Sequence, residues 1–369
     1  MVERKRRVAD GENKEKQDSS DYVENPVDFI NTGCIHLNLA ASQKGRDGGW
    51  ARGRIDNIVG DGSSGKTLLA LEAAAHCFYN MKGNKSHNFP EVKNVSIVYN
   101  NVEGVMDFPI GSMYGEEFNS GVEWIRTGVI QEFGKDFFKR VKALKDGDFL
   151  LYIVDSWDAL DSEDEYEAFL KTIEKNTKEE GSFDLGKQRY GSKRFFKTLC
   201  SQIEGDNGKV KKDCTLMIVS QVRKKIGVTF GEKTYRAGGD ALNFYTHQVC
   251  WLADSGKINV QRLGLPITTG INVKAKFRRN KAAKPFREAA FPIMFDYGID
   301  NIASMIHLLH GPADKELKDF FGQNFKKYAT AIKYIDDNSL EDELAAMCEE
   351  KWKNAEEAAK DTRKRRFPE

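Results

Sequence analysis

The chain has no apolar run approaching the roughly 20 residues a membrane helix needs, so no spanning segment is expected. It has almost no net charge: 57 Lys+Arg stand against 56 Asp+Glu, giving +1. Global electrostatics therefore select no partner, and any nucleic-acid site has to be a local patch. No two of the six cysteines (Cys34, Cys77, Cys200, Cys214, Cys250, Cys348) form a CxxC pair. That scatter excludes an evident zinc frame and fits reduced thiols rather than a disulfide scaffold. The basic N-terminal stretch has no apolar segment behind it, so a secretory signal is not expected. These absences predict a soluble, cytoplasmic, globular chain with no membrane partner. What is present is 369 residues, 40% of them hydrophobic, enough for one large domain or two moderate ones.

Residues 1–24 are almost all charged or small and polar, and are expected to form a disordered tail. Over 25–300 the pattern changes. Short apolar runs rich in Val and Ile (55–59, 95–99, 149–154, 216–219 and 249–252) alternate with helical stretches such as 67–79. Such runs suit strands covered on both faces, which predicts an α/β fold with a mostly parallel sheet flanked by helices. Residues 301–369 read as a small, charged helical region with a basic tail. In its last segment Ser339 and Asp342 resemble a weak capping box, and Leu340, Leu344, Met347 and Trp352 form a thin apolar stripe. His307 and His310 have helical spacing but no further ligands, so a structural role is expected. Trp157 and Trp251 sit in or beside apolar strands and read as core.

The strongest local signal is Gly60, Asp61, Gly62, Ser63, Ser64, Gly65, Lys66 and Thr67, which fits GxxxxGK[ST] between a strand and a helix. Glycines let backbone N–H groups close around phosphate oxygens, and the helix N-terminus adds positive potential. Lys66 is expected to reach the terminal phosphates and Thr67 to hold Mg²⁺, so a nucleoside triphosphate and Mg²⁺ are the implied ligands. The buried run 149–154 ends in Asp155, placed to complete the metal site through water. Glu103 follows the strand at 95–99, at the sheet mouth where ligands gather, and can orient or deprotonate water; a solvated loop acid is the alternative. Gln221 closes the strand at 216–220, where its amide can sense the terminal phosphate.

From these residues outward the chain resembles the RecA/UvsX class of DNA strand-exchange ATPases over about residues 32–300. The resemblance includes Thr32 and Gly33, Gly53 to Ile55, and Glu103 to Asp107. It is most specific from Gln221 through Gly231, Gly238, Gly239 and Asp240 to Phe244, and another match runs from Arg278 to Phe286. It implies a RecA-type P-loop ATPase core, with Glu103 as catalytic glutamate, Asp107 as the acid contacting adenine, and Gln221 as a switch linking γ-phosphate to a DNA loop. It further implies that Arg279 and Lys281 reach the ATP of the neighbouring subunit and that Phe244 relays nucleotide state across the interface. The implied assembly is a helical homo-oligomeric filament on single-stranded DNA that pairs with homologous duplex DNA, with single-strand-binding and mediator proteins as accessory partners. The compact, divergent form suggests a phage-encoded member acting in a bacterial cytoplasm or infected host cell.

Two basic stretches can carry the DNA. The 222–239 loop holds Arg223, Lys224, Lys225 and Arg236 around Ile226, Gly238 and Gly239, which suits phosphate contacts and a wedge between bases. The stretch 186–197 mixes Lys187, Arg189, Lys193 and Arg194 with Tyr190, Phe195 and Phe196, the composition of single-strand binding sites. Asn101, Ser220 and Asp240 depart from the class pattern. Two other readings use the same residues: a hexameric motor for helicase or branch-migration work, and an ATP-gated DNA-binding mediator that no longer hydrolyses.

Overall fold

The computed structural model describes residues 27–86, 88–104, 106, 109–163, 195–203, 212–224, 234–236, 242 and 244–363. The expected tail at 1–24 therefore lies outside the described residues.

A short antiparallel pair, β1 (Phe29–Ile30) and β2 (Trp50–Ala51), brackets helix α1 (Ile35–Ser42). Alternating strands and helices follow: β3 (Ile55–Gly60), α2 (Lys66–Asn80), β4 (Asn94–Asn101), α3 (Ile110–Tyr114), α4 (Glu116–Gly121), β5 (Glu123–Ile125), α5 (Ile130–Ala143) and β6 (Asp148–Asp155). Helix α6 (Phe196–Ile203) precedes β7 (Cys214–Lys224) and β8 (Thr234–Arg236). Next come β9 (Gln248–Arg262), β10 (Leu265–Asn280), β11 (Glu288–Met294) and β12 (Gly298–Ile299). The chain ends in α7 (Asn301–His310), β13 (Leu317–Phe320), β14 (Gln323–Phe325), α8 (Tyr328–Asp337) and α9 (Glu341–Ala358).

One sheet dominates, in the order β12-β11-β10-β9-β3-β7-β6-β4-β5, with β8 paired to β7. From β9 through β5 all neighbours are parallel. Every residue from Phe149 to Val154 in β6 is buried, as a strand covered on both faces requires. One face packs on α1 and α2 through Ile58, Leu69 and Ala73. The other packs on α5, whose Ile130, Phe133, Phe137 and Val141 recur at helical spacing, and on α6. Parallel strands aligned in this way gather their C-terminal ends, and hence β3, β4, β6 and β7 deliver their loops, to one edge.

Several sequence expectations are corrected. β9 to β12 add an antiparallel extension, of which the run at 249–252 showed only the first buried rungs; residues 253–267 are mostly exposed, and their alternating Ile258, Val260, Leu263, Leu265 and Ile267 form no unbroken apolar run. The C-terminal region is not purely helical, because Leu317, Phe320 and Phe325 bury one side of the β13–β14 hairpin. Nor does Ser339 cap α9: it takes a left-handed φ of 53°, and Leu340 stands at the cap without a side-chain bond. The first-turn acids Glu341, Asp342 and Glu343 face the helix dipole instead. In α9 Met347 is 40% exposed, while Leu344, Ala345 and Cys348 are buried against α1, α7 and α8. Trp157 is core, but Trp251 is half-buried beneath the Arg278 guanidinium, 3.8 Å from its ring centre. His307 and His310 pack on the rings of Tyr328 and Phe320. All six cysteines are free thiols, and among the described residues no helix is long and apolar enough to cross a membrane.

Glu72 ties α2 to its surroundings. Its Oε1 accepts from Tyr114 Oη at 3.1 Å and from Ile299 N at 3.2 Å. A Cβ at Gly298 would stand 2.4 Å from that oxygen, and one at Gly33 would stand 2.9 Å from Oε2. Burial pushes the carboxyl up from 4.5 to about 7. The folded state thus holds a proton between those values that the unfolded chain releases, so this contribution is complete below 4.5 and is lost as pH rises through 7. Glu72→Gln is expected to raise the thermal midpoint at pH 8 and leave it nearly unchanged at pH 4.5, an effect of roughly 3 kcal/mol read by calorimetry at both pH values.

Candidate functional site

The phosphate loop joins β3 to α2 at the C-terminal edge of the sheet. Ser63 and Gly65 take left-handed φ of 59° and 86°, and Gly65 stands at the cap of α2. A Cβ at Gly65, already at a left-handed φ, would fall 2.4 Å from Ile293 Cδ1, and one at Gly60 2.4 Å from Ser64 Oγ and 3.0 Å from Leu252 O, so a side chain at either position must displace its neighbours. Ser64 Oγ donates to Asp61 O at 2.8 Å, pinning the loop, while Asp61, Gly62 and Ser63 form its exposed crest. The Lys66 ammonium closes over the crest onto Asp61 O at 2.6 Å. Burial lowers the Lys66 pKa, and the charges of Asp155, Glu103, Asp61 and Asp158 oppose that shift. A cation resting on a carbonyl, in the field of four acids, is placed to exchange that carbonyl for phosphate oxygens.

Beneath it, Thr67 Oγ1 donates to Asp155 Oδ2 at 2.7 Å. The two groups named for a metal are therefore in contact, and a hydroxyl beside a carboxylate is a donor set that fits Mg²⁺. Tyr99 Oη donates to the same oxygen at 2.7 Å. Burial raises the Asp155 pKa, and the Tyr99 and Thr67 hydrogen bonds counter it. Sequence reasoning missed Tyr99, which ends a run of apolar strand residues and reads as core. Only the parallel register of β4 on β6, with Tyr99 opposite Ile153 and Asn101 opposite Asp155, brings it there. Tyr99→Phe is expected to raise the Mg²⁺ concentration needed for half-maximal activity about three- to tenfold, since it removes one hydrogen bond to a charged group. A Mg²⁺ titration of phosphate release checks this, and an unchanged midpoint would remove Tyr99 from the site.

Glu103 follows β4 directly. Its backbone N–H and that of Val102 donate to Asp155 O, at 3.4 and 2.7 Å. Asn101 Oδ1 accepts from Gly104 N at 3.1 Å, so this departure from the class pattern serves as the brace of the turn. Glu103 Oε1 accepts from Ser156 Oγ at 2.6 Å and from Gln221 Nε2 at 2.8 Å. Gln221 N in turn donates to Asp158 Oδ2 at 2.6 Å. The ends of β4 and β6 thus converge on one carboxylate with Gln221, which lies within β7 rather than closing the strand as expected.

Arg279, Lys281 and Phe244 meet each other but not the phosphate loop. Arg279 Nη2 and Lys281 Nζ donate to Phe244 O at 3.2 and 3.3 Å, and the Phe244 ring is 68% exposed. Arg279 lies opposite Val249, which pairs with Asn57, whereas Gly60 pairs with Leu252. The cations therefore sit about three rungs, or ~10 Å, back along β3, and two strands aside from it.

The residues expected to bind DNA divide. Arg223 is exposed at the end of β7, and the Lys224 backbone pairs with Thr234. Lys187, Arg189, Tyr190, Lys193, Arg194, Lys225, Ile226, Gly238 and Gly239 lie outside the described residues, as do Asp107 and Asp240. Two expectations are corrected. Phe195 and Phe196 are buried against Phe133 and Trp157, so they belong to the core and not to a stacking surface. Arg236 is only 8% exposed, and its guanidinium turns inward onto Asn57 Oδ1.

Residues 145–300, from the end of α5 to the start of α7, match the RecA N-terminal domain. Protein RecA of Rippkaea orientalis is 29% identical over 318 residues, covering 85% of this chain and 79% of that protein. Protein RecA of Prochlorococcus marinus is 30% identical over 283 residues, covering 76% and 65%. Protein RecA of Synechocystis is 29% identical over 335 residues, covering 89% and 82%.

Proposed function

We propose, on the premise that this chain is a RecA relative built on a RecA-type core, that it is an ATP- and DNA-dependent recombination and repair protein. It assembles on single-stranded DNA as a filament and promotes homologous pairing and strand exchange. The observation that carries this reading is the Gln221–Glu103 hydrogen bond of 2.8 Å. It joins the residue placed to orient water to the strand that leads into the basic 222–239 loop.

In this reading Lys66 neutralises the terminal phosphates of ATP, and Glu103 orients the attacking water. Ser156 and Gln221 occupy Oε1 of Glu103, and among the described residues none is bonded to Oε2, which can face that water. Mg²⁺, held by Thr67 and through water by Asp155, would supply charge neutralisation at the phosphates. A γ-phosphate at Lys66 competes with Glu103 for the Gln221 amide, and moving that amide repositions the end of β7 and the loop beyond it. Arg279, Lys281 and Phe244, far from their own phosphate loop, serve the ATP of the adjoining protomer. Residues 25–300 form the ATPase core in this reading, and 301–369 an appended region.

The test is ATP hydrolysis with and without single-stranded DNA, with the same samples imaged by negative-stain microscopy. Strong stimulation with extended helical filaments is expected. Stimulation with closed rings would favour a motor, and nucleotide binding without stimulation would favour the mediator reading.

A further inference from the structure

Strands β7 and β8, the described stems of the 222–239 stretch, pair with each other, and both converge on one buried amide. Asn57 is fully buried in β3, three residues before Gly60. Its Nδ2 donates to Ile218 O at 2.8 Å and to Ser220 Oγ at 2.9 Å, both on the outgoing strand β7. Its Oδ1 accepts from Arg236 Nη1 on the returning strand β8. The stems pair with each other at Val222 and Arg236, Arg223 and Tyr235, and Lys224 and Thr234. A ladder of three pairs is marginal by itself and needs an anchor.

Ser220 immediately precedes Gln221, whose side chain reaches Glu103 and whose backbone reaches Asp158. A continuous set of contacts therefore runs from Arg236 through Asn57 and Ser220 to the catalytic carboxylate. Burial lowers the Arg236 guanidinium to about 10, with Asp158 opposing the shift and Arg279 adding to it. A guanidinium that contacts DNA phosphate must be accessible, and this one is committed to the interior.

We propose that Asn57 and Arg236 are positioning residues that clamp both stems of the 222–239 loop to the strand carrying the phosphate loop. The clamp transmits the loop's encounter with DNA to Gln221 and Glu103, and Arg236 itself makes no DNA contact. The proposal rests on the reading of the site as a DNA-stimulated ATPase.

The test uses the full-length protein, oligo(dT) as the single strand, and the variants Arg236→Met, Asn57→Ala and their combination. Each single variant is expected to lower the DNA-stimulated kcat roughly tenfold, with the double variant no worse than the weaker single, because coupled neighbours are non-additive. The slope of log affinity against log salt should stay at its wild-type value. The proposal is overturned if Arg236→Met lowers that slope by about 0.7, the loss of one single-strand phosphate contact, while kcat at saturating DNA is kept. It is also overturned if Asn57→Ala, buried beyond reach of DNA, turns over like wild type. Should Asn57→Ala fail to fold, judged by its thermal transition, the salt slope and kcat of Arg236→Met decide, with partial rescue expected from Arg236→Lys. Wild-type turnover that ignores DNA would sink the parent reading first, before any variant is compared.

Discussion

Replacing Lys66 with alanine is expected to cut ATP turnover by about 100-fold or more, the usual cost of deleting one preorganised charge from a phosphoryl-transfer site. The ammonium rests on Asp61 O at 2.6 Å with four acids in its field. When ATP binds, that cation is the group placed to exchange a carbonyl for phosphate oxygens, and alanine leaves the acids facing the phosphates unopposed. Lys66→Arg keeps the charge but changes its reach, so it should fall between the two. Phosphate release and binding of a fluorescent ATP analogue measure the two losses separately, with a thermal transition to verify folding. Wild-type turnover in Lys66→Ala would end the assignment of this loop to ATP.

Legibility in the sequence followed how local each feature is. Phosphate binding by a loop needs consecutive backbone N–H groups, a lysine and a hydroxyl, so the residues from Gly60 to Thr67 are contiguous and readable. Asp155 was readable because a strand buried on both faces leaves an unbroken apolar run that ends in it. Tyr99 was not, since a tyrosine at that position looks like core until β4 is laid in register on β6. Arg236 misled in the opposite direction. Counted by charge it belongs to a basic loop, and only its pairing with Val222 turns it over Asn57.

The same distinction applies to larger elements. The aromatic residues Phe195 and Phe196 looked like a stacking platform beside basic residues, yet α6 places them against Trp157 and Phe133. The β13–β14 hairpin has too few residues for a period to declare itself, and its burial is set by the neighbouring helices. At Ser339 the spacing of a capping box was present, but a left-handed φ at that residue points the chain elsewhere.

Mixing two inactive variants is expected to restore activity, and the amount recovered reports which subunit owns each residue. Glu103→Ala removes the carboxylate proposed to orient water, and Arg279→Ala combined with Lys281→Ala removes the paired cations. Each protein alone should be close to inactive. If the cations act on the adjoining protomer's ATP, a site is whole when its own subunit carries Glu103 and its neighbour carries Arg279 and Lys281. In a randomly mixed one-to-one head-to-tail assembly, about one quarter of sites meet both conditions, so turnover should return to about one quarter of wild type. If the cations act within their own subunit, no site in the mixture is whole and activity stays at the floor. The geometry favours the first outcome, because Arg279 and Lys281 gather on Phe244 O about three rungs, or ~10 Å, back from Gly60. Phe244, 68% exposed beside them, should then be shielded on assembly, and Phe244→Ala should weaken recovery in the mixture by weakening the contact between subunits.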